Sequence, residues 1–377
     1  MSRARTYLDA NATEPLRPQA REAMLAALEH PGNASSVHAE GRWARDLIEG
    51  ARDAVAALVG ARAANVVFTS GATEAANWAL TPMAPDERLY VSAVEHPCVL
   101  AAGMFAPDRT TSVPVRDDGV LDLEALRARL EAGGDEGRPV LALMAVNNET
   151  GVVQPVAEAA AMVHEFGGRV ICDAVQAAGR MPLSLEELGA DILFLSSHKL
   201  GGPQGAGALV VQSDDGFPKN LLKGGGQEKR RRAGTENLAA IAGFGVAVQE
   251  VRHHVSHMER LQELRQRLEQ GLRKIEARTL IAGEAAERVA NTVLFATPGM
   301  AAETLVIAFD LEGVSVSSGS ACSSGKVGDS HVLRAMNFAA PSAIRVSLPW
   351  NADEQDIDRF LDVWQTIHHR MNLGRAA

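Results

Sequence analysis

Between Asn65 and Val211, short apolar runs alternate with segments of helical spacing, and this alternation constrains the fold more than any other feature. Asn65-Val66-Val67-Phe68-Thr69 has the pattern of a buried strand and runs into Ser70-Gly71-Ala72-Thr73-Glu74, a turn that opens a helix. Further strands are predicted near 88–93, 111–115, 139–145, 169–172, 192–195 and 207–211, with helices near 97–105, 122–131 and 156–166. Repetition of this kind argues for an α/β domain built on a mostly parallel sheet. Ligands of such sheets sit on the loops at the carboxyl ends of strands, so chemistry is sought just past each strand.

Either side of this region the pattern changes. Helices are predicted over 17–29, stopped by Pro31-Gly32, and over 40–59. From Leu238 to Ile275, apolar residues recur in three- and four-residue steps. They predict one long helix, or two in series, up to ~57 Å long at ~1.5 Å per residue. A second α/β unit follows, with strands at 291–296, 314–317 and 344–348 and helices at 301–310 and 353–371. The expected division is a large domain over 14–255 and a smaller one from 1–13 and 256–377, a plausible size for two units in 377 residues.

The net charge of −10 argues against a general nucleic-acid binder, although Lys229-Arg230-Arg231-Arg232 is a local basic run. The three cysteines, Cys98, Cys172 and Cys322, show no C-x-x-C spacing, which speaks against both a structural zinc site and a disulfide scaffold. No apolar run reaches the roughly 18–20 residues of a membrane span, and the N-terminus lacks a signal-peptide core. A soluble cytoplasmic protein is expected.

Six stretches carry candidate chemistry. Leu193-Phe194-Leu195-Ser196-Ser197-His198-Lys199 ends a strand with an amine beside hydroxyl and imidazole groups; alone it reads more readily as a surface lysine. Asp173 closes another apolar strand, where it can face a heterocyclic nitrogen or cap a helix. Backbone N–H groups at Ala72 and Thr73 make an anion site at a helix start. His96 follows a strand, where it can stack on an aromatic ring, shuttle protons, or simply hold structure. Cys322 lies in Ser317-Ser318-Gly319-Ser320-Ala321-Cys322-Ser323-Ser324-Gly325-Lys326, a small, hydroxyl-rich loop suited to carrying a reactive thiol. Cys98 and Cys172, beside apolar runs, are expected to be packing residues. Arg345, inside a strand, can grip a carboxylate ligand or pair internally.

Together these residues resemble the cysteine desulfurases, the NifS/IscS-like branch of the class V aminotransferase family. The likeness runs from Tyr7-Leu8-Asp9-Ala10-Asn11-Ala12-Thr13 to Arg345 and includes Asn147-Asn148-Glu149-Thr150-Gly151 and Arg232-Ala233-Gly234-Thr235-Glu236-Asn237. It implies the type I fold of pyridoxal 5′-phosphate (PLP) dependent transferases, with PLP as cofactor and L-cysteine as substrate. By the same likeness Lys199 would hold the cofactor, Asp173 face its pyridine nitrogen, Gln176 its ring hydroxyl, and His96 stack on the ring. Ala72, Thr73, Ser196 and His198 would hold the phosphate, with Thr235 reaching across a homodimer to the partner's cofactor. Asn11, Asn148 and Arg345 would meet the substrate, and Cys322 would accept its sulfur as a persulfide. The thirteen residues from Cys322 to Arg334 are similar to the longer loop of the NifS/IscS type. An acceptor protein, such as an iron–sulfur scaffold or the tRNA-thiolation machinery, would then take the sulfur. Ser197 and Gln204 depart from the family pattern, where a glycine and a lysine are common. A selenocysteine lyase, an aminotransferase and a non-catalytic assembly partner share the fold, and sequence leaves them as rivals.

Overall fold

The computed structural model describes residues 5–133, 137–253, 256–319 and 329–376. Cys322 lies outside the described residues. Seven strands form one sheet in the order Val66–Thr69, Gly207–Val211, Ile192–Ser196, Arg169–Asp173, Pro139–Met144, Arg88–Ser92, Thr110–Val113. Gly207–Val211 runs against both its neighbours, and every other pair is parallel.

The strands are apolar at nearly every position because both faces are covered. Phe68, Leu141, Leu143, Val170, Leu193 and Leu195 point into one core. Val67, Val140, Ala142, Ile171, Ile192 and Phe194 point into the other. On the first face packs the helix Ala39–Leu58, which buries Ala44, Ile48, Ala51 and Val55 and is capped by His38, whose Nδ1 accepts from the Gly41 N–H at 3.3 Å. Against the second face lies the helix Ala72–Ala79, with Trp78 fully buried.

The six predicted strands that follow Thr69 stand within about two residues of their expected places. The helix expected near 97–105 stops at Leu100. Ala102 and Gly103 adopt φ values of 60° and 56°, and a Cβ on Gly103 would come within 2.5 Å of Leu80 Cβ. Chain reversal against Leu80 therefore overrides the helical pattern. The long apolar repeat after residue 238 is two helices, Leu238–His253 and Ser256–Ile275.

A second sheet has the order Ser317–Ser318, Ile344–Ser347, Thr292–Ala296, Leu280–Ile281 and is antiparallel. It has its own core, in which Phe295, Phe309, Phe360 and Trp364 stack or meet edge to face. The strand expected at 314–317 is two short strands with different partners: Val314–Ser315 pairs with Thr6–Tyr7, and Ser317–Ser318 with Ile344–Ser347. The N-terminal segment thus begins on a separate two-stranded sheet and crosses to the large one, where the Glu14 N–H donates to the His198 carbonyl at 2.9 Å. No helix among the described residues is long and apolar enough to cross a membrane.

Candidate active site

The carboxyl ends of five strands of the large sheet open onto one cavity of ≈ 530 Å³, a size typical of small-molecule sites. Asn11, Ala72, Thr73, His96, Asn148, Asp173, Gln176, Ser196, His198, Lys199 and Arg345 all line it. Among the described sequence-predicted residues, one does not. Thr235 is exposed and is not part of the cavity wall, and Cys322 lies outside the described residues.

Lys199 ends a single turn, Ser197–Lys199, that directly follows the strand Ile192–Ser196. Its Nζ donates to the carbonyls of Asn11 and Ala12 at 2.6 and 2.8 Å. Asp173 closes the neighbouring strand and is 7 % exposed. Its Oδ1 accepts the Val175 N–H at 2.9 Å. Burial pushes the Asp173 carboxyl up to about 6, against the opposing pull of that N–H and of the Lys199 charge. A cation placed beside it would restore full ionisation. Gln176 is held from both sides: Arg180, which can only donate, takes its Oε1, so its Nε2 faces the Asn11 carbonyl at 3.1 Å.

The opposite end of the cavity is built for an anion. The helix Ala72–Ala79 starts at Gly71 without a side-chain cap, so its first N–H groups keep their donor capacity and its positive end faces the cavity. Glu74 accepts the Ser70 N–H at 2.8 Å and is clamped by Arg232 through contacts of 2.9 and 3.1 Å. Part of the basic run is thereby committed to an internal pair. Gly207 underlies this loop: a Cβ there would lie 2.7 Å from the Gly71 backbone. Ser197, where a glycine is common in the family, is fully buried. Gly202 makes room for it, since a Cβ at 202 would stand 2.3 Å from Ser197 Oγ.

His96 caps the short helix Pro97–Leu100 by accepting the Cys98 N–H on Nδ1 at 3.2 Å. A ring nitrogen that accepts a backbone N–H carries no proton, so neutral His96 has its proton on Nε2. Burial first, then the Lys199 and His331 charges, lower His96 to about 4, and burial with Lys199 does the same to His198. Cys98 packs against the core on the second face of the large sheet, as expected, and also reaches the site. It is only partly buried, lines the cavity, and sets its Sγ 2.9 Å from His96 Nδ1. Cys172 is fully buried, as expected.

Beneath the site, Glu95 is wholly buried and accepts the Met144 N–H at 2.7 Å. Burial and then the Asp173 charge raise its carboxyl well above the ordinary carboxylate value, against the pull of the Met144 N–H. Arg345 makes the internal pair that sequence had left open, with Asp9 at 2.9 Å, and also donates to the Asn148 carbonyl at 3.1 Å. Its Nε has no protein partner.

The aminotransferase class-V family model matches residues 6–360. A cysteine desulfurase of Gluconacetobacter diazotrophicus is 40 % identical, over 96 % of this chain and 92 % of that protein. The cysteine desulfurase IscS of Dictyoglomus turgidum is 35 % identical, over 97 % and 95 %. Among solved structures, a NifS-like protein from Rickettsia africae superposes with a TM-score of 0.88 at 31 % identity, covering 97 % of this chain and 99 % of the other. With lysine, aspartate and an uncapped helix start meeting at the strand ends of this sheet, the likeness extends from sequence to architecture, and the chain belongs to the aminotransferase class-V family.

Proposed function

We propose that this chain is a PLP-dependent cysteine desulfurase that converts L-cysteine to L-alanine and passes the sulfur to Cys322. The observation that carries this reading is the convergence of Lys199, Asp173 and the uncapped Ala72–Ala79 helix start on one cavity. That donor set fits PLP. A buried carboxyl raised to about 6 is matched to a protonated ring nitrogen, and free helix N–H groups are matched to a phosphate.

Bound PLP supplies an electron sink that loosens bonds at the substrate Cα and Cβ. Lys199 would hold it by its amine. Asp173 would keep the ring nitrogen protonated, Gln176 would donate to the ring hydroxyl through Nε2, and His96 would cover the ring. Ala72, Thr73, Ser196 and His198 would take the phosphate, and Thr235 would reach the partner subunit's cofactor in a homodimer. Asn11, Asn148 and Arg345 would orient the substrate carboxylate, with Arg345 held in place by Asp9. The Cys322 thiolate then attacks the sulfur of cysteine. The new S–S bond forms as the Cβ–S bond breaks, its electron pair stays with carbon, and a proton completes alanine. An acceptor protein of iron–sulfur or tRNA-thiolation chemistry would collect the sulfur. We also read residues 14–255 as the large domain, and 1–13 with 256–377 as the smaller; the core of the second sheet, drawn wholly from the latter, supports this, and a further cluster with Val94, Val115 and Leu294 joins the two.

Incubation with L-cysteine, followed by mass measurement of the Cys322 peptide, should show one added sulfur. Cys322→Ala should abolish alanine formation. Alanine release near the wild-type rate in that variant would defeat the persulfide role and favour another PLP enzyme.

A further inference from the structure

Lys199 borders a second cavity of ≈ 20 Å³, room for about one water. Its wall includes Glu14, Arg17, Arg180, Leu348 and Trp350. Glu14 is 7 % exposed and Arg180 8 %. Glu14 Oε1 accepts the Trp350 N–H at 3.1 Å, but its Oε2 has no protein partner. Arg180 donates through Nη1 to Gln176, while its Nη2 has no protein partner. Two buried groups of opposite charge, each with an unused hydrogen-bonding atom, thus share a space of one water's size. Buried polar atoms in such a position are joined by water far more often than left orphaned.

The titratable groups around Glu14 come from four elements. Arg180 follows the strand Arg169–Asp173, Arg17 precedes the helix Pro18–Leu28, Lys199 follows Ile192–Ser196, and Tyr7 lies on the N-terminal strand. Arg17 is further influenced by Glu250, and Arg180 by Arg345. On the coenzyme side, the Lys199 charge acts on Asp173, His96 and His198. Burial raises the Glu14 carboxyl to about 7; Arg180, Arg17, the Trp350 N–H and Lys199 oppose the rise. Coupling between two titrating sites is reciprocal. If the Lys199 charge lowers the proton affinity of Glu14, ionised Glu14 raises that of Lys199 by the same factor.

We propose that Glu14 is a positioning residue for Lys199: bridged to Arg180 by one buried water, its carboxyl raises the proton affinity of the amine that holds the coenzyme. This rests on the reading of Lys199 given above. No substrate contact is required of Glu14, which acts on the reaction through the fraction of Lys199 carrying a proton.

The test compares wild type with Glu14→Gln and Glu14→Asp. In the holoenzyme, the pH midpoint of the change in the coenzyme's visible band should fall in Glu14→Gln by at least about threefold in proton affinity, and Glu14→Asp should recover part of the fall. In the full chain without coenzyme, the pH midpoint of competitive labelling with acetic anhydride, read by mass at the Lys199 peptide, should fall in the same direction. In wild type alone, the labelling curve should deviate from a single titration near neutral pH, as coupled groups do; this holds even if Glu14→Gln folds poorly. A single-step wild-type curve, or an unchanged Lys199 midpoint in Glu14→Gln, overturns the proposal. If instead Lys199→Ala retains the coenzyme colour after dialysis, the reading of Lys199 fails, while the labelling result is judged independently.

Discussion

Gly207→Ala is the most direct probe of how the sheet positions the anion end of the site. Gly207 begins the reversed strand and is paired with Thr69 on one side and Ser196 on the other. A Cβ there would stand 2.7 Å from both Cα and C of Gly71, and 2.8 Å from the Leu195 carbonyl oxygen. Ordinary contact begins near 3.4 Å, so the overlap is about 0.7 Å against main chain that has no rotamer to change. Both strand partners are fixed by ladder hydrogen bonds, which leaves Gly71 as the atom group free to give way. Overpacking of this kind costs about 1–3 kcal/mol. If that cost falls on the Ala72–Ala79 helix start, PLP affinity should drop by about 10- to 100-fold.

The assay is titration of PLP into coenzyme-free protein by visible absorbance, paired with urea unfolding of the coenzyme-free form. Gly50→Ala serves as the control. It sits in the helix Ala39–Leu58, a Cβ there meets nothing within 4 Å, and the change should stabilise by about 0.5–1 kcal/mol with no effect on PLP. A stability loss in Gly207→Ala without a change in PLP affinity would show that the strain relaxes elsewhere. No change in either would refute the close approach of Gly207 and Gly71.

Three further outcomes are expected. Asp173→Asn should keep the coenzyme bound, visible by its colour, yet lower alanine formation by roughly 10²–10³, because the ring nitrogen loses its counter-charge; near-normal turnover would remove Asp173 from that role. Glu228 and Arg52 form a buried pair, at 2.7 and 2.9 Å, beneath three consecutive residues of positive φ, Glu228, Lys229 and Arg230. Glu228→Gln should cost about 3 kcal/mol by urea unfolding, since it leaves a buried guanidinium short of its partner, and a loss under 1 kcal/mol would contradict this. Glu14 is raised to about 7 in the fold, so the folded chain binds the extra proton and stability falls as pH rises from about 4.5 to 7. Coenzyme-free Glu14→Gln should therefore gain roughly 3 kcal/mol on wild type across that window, and a pH-independent difference would refute the buried titration. The wild-type profile itself is a balance: Asp173, also raised, acts in the same direction, while His96 and His198, held neutral, lose their penalty as pH rises.

Strand positions were legible because a strand buried on both faces is an uninterrupted apolar run, and Pro139–Met144 and Ile192–Ser196 are such runs. Direction was not, since Gly-Ala-Leu-Val-Val packs equally well either way round. The missing clue was the connection from Ser196 to Gly207, which is too short for the crossover a parallel neighbour needs. Thr6–Tyr7 was hidden for another reason: a two-residue strand whose partner, Val314–Ser315, lies about 300 positions away leaves no local pattern. At the site, Asp173 and Lys199 were legible because each is a polar residue ending an apolar strand. The cavity contact of Cys98 was not, since its packing against the core accounts for its apolar neighbours and hides the side it turns to the site. Glu14 reads locally as one polar residue before a proline. Its significance comes from Arg180 and Trp350, brought to it by elements more than a hundred residues away.

The same long-range assembly governs how pH data from this site must be interpreted. One amine stands between two raised carboxyls, Asp173 and Glu14, and acts on two lowered imidazoles, His96 and His198. Removing its charge raises the proton affinity of all four together. The site therefore titrates in macroscopic steps that belong to the group, and no single inflection in a rate profile can be assigned to one residue from its loss in one variant. Lys199→Ala makes the point sharply: beyond losing its bond to the coenzyme, it should shift Asp173 toward its neutral form, weakening the carboxylate that would protonate the ring. Loss of activity in that variant reports the amine and its field at once. Separating them requires a substitution that moves the field and leaves the amine in place, and Glu14, on the far side of Lys199 from the coenzyme cavity, is the position where this can be done.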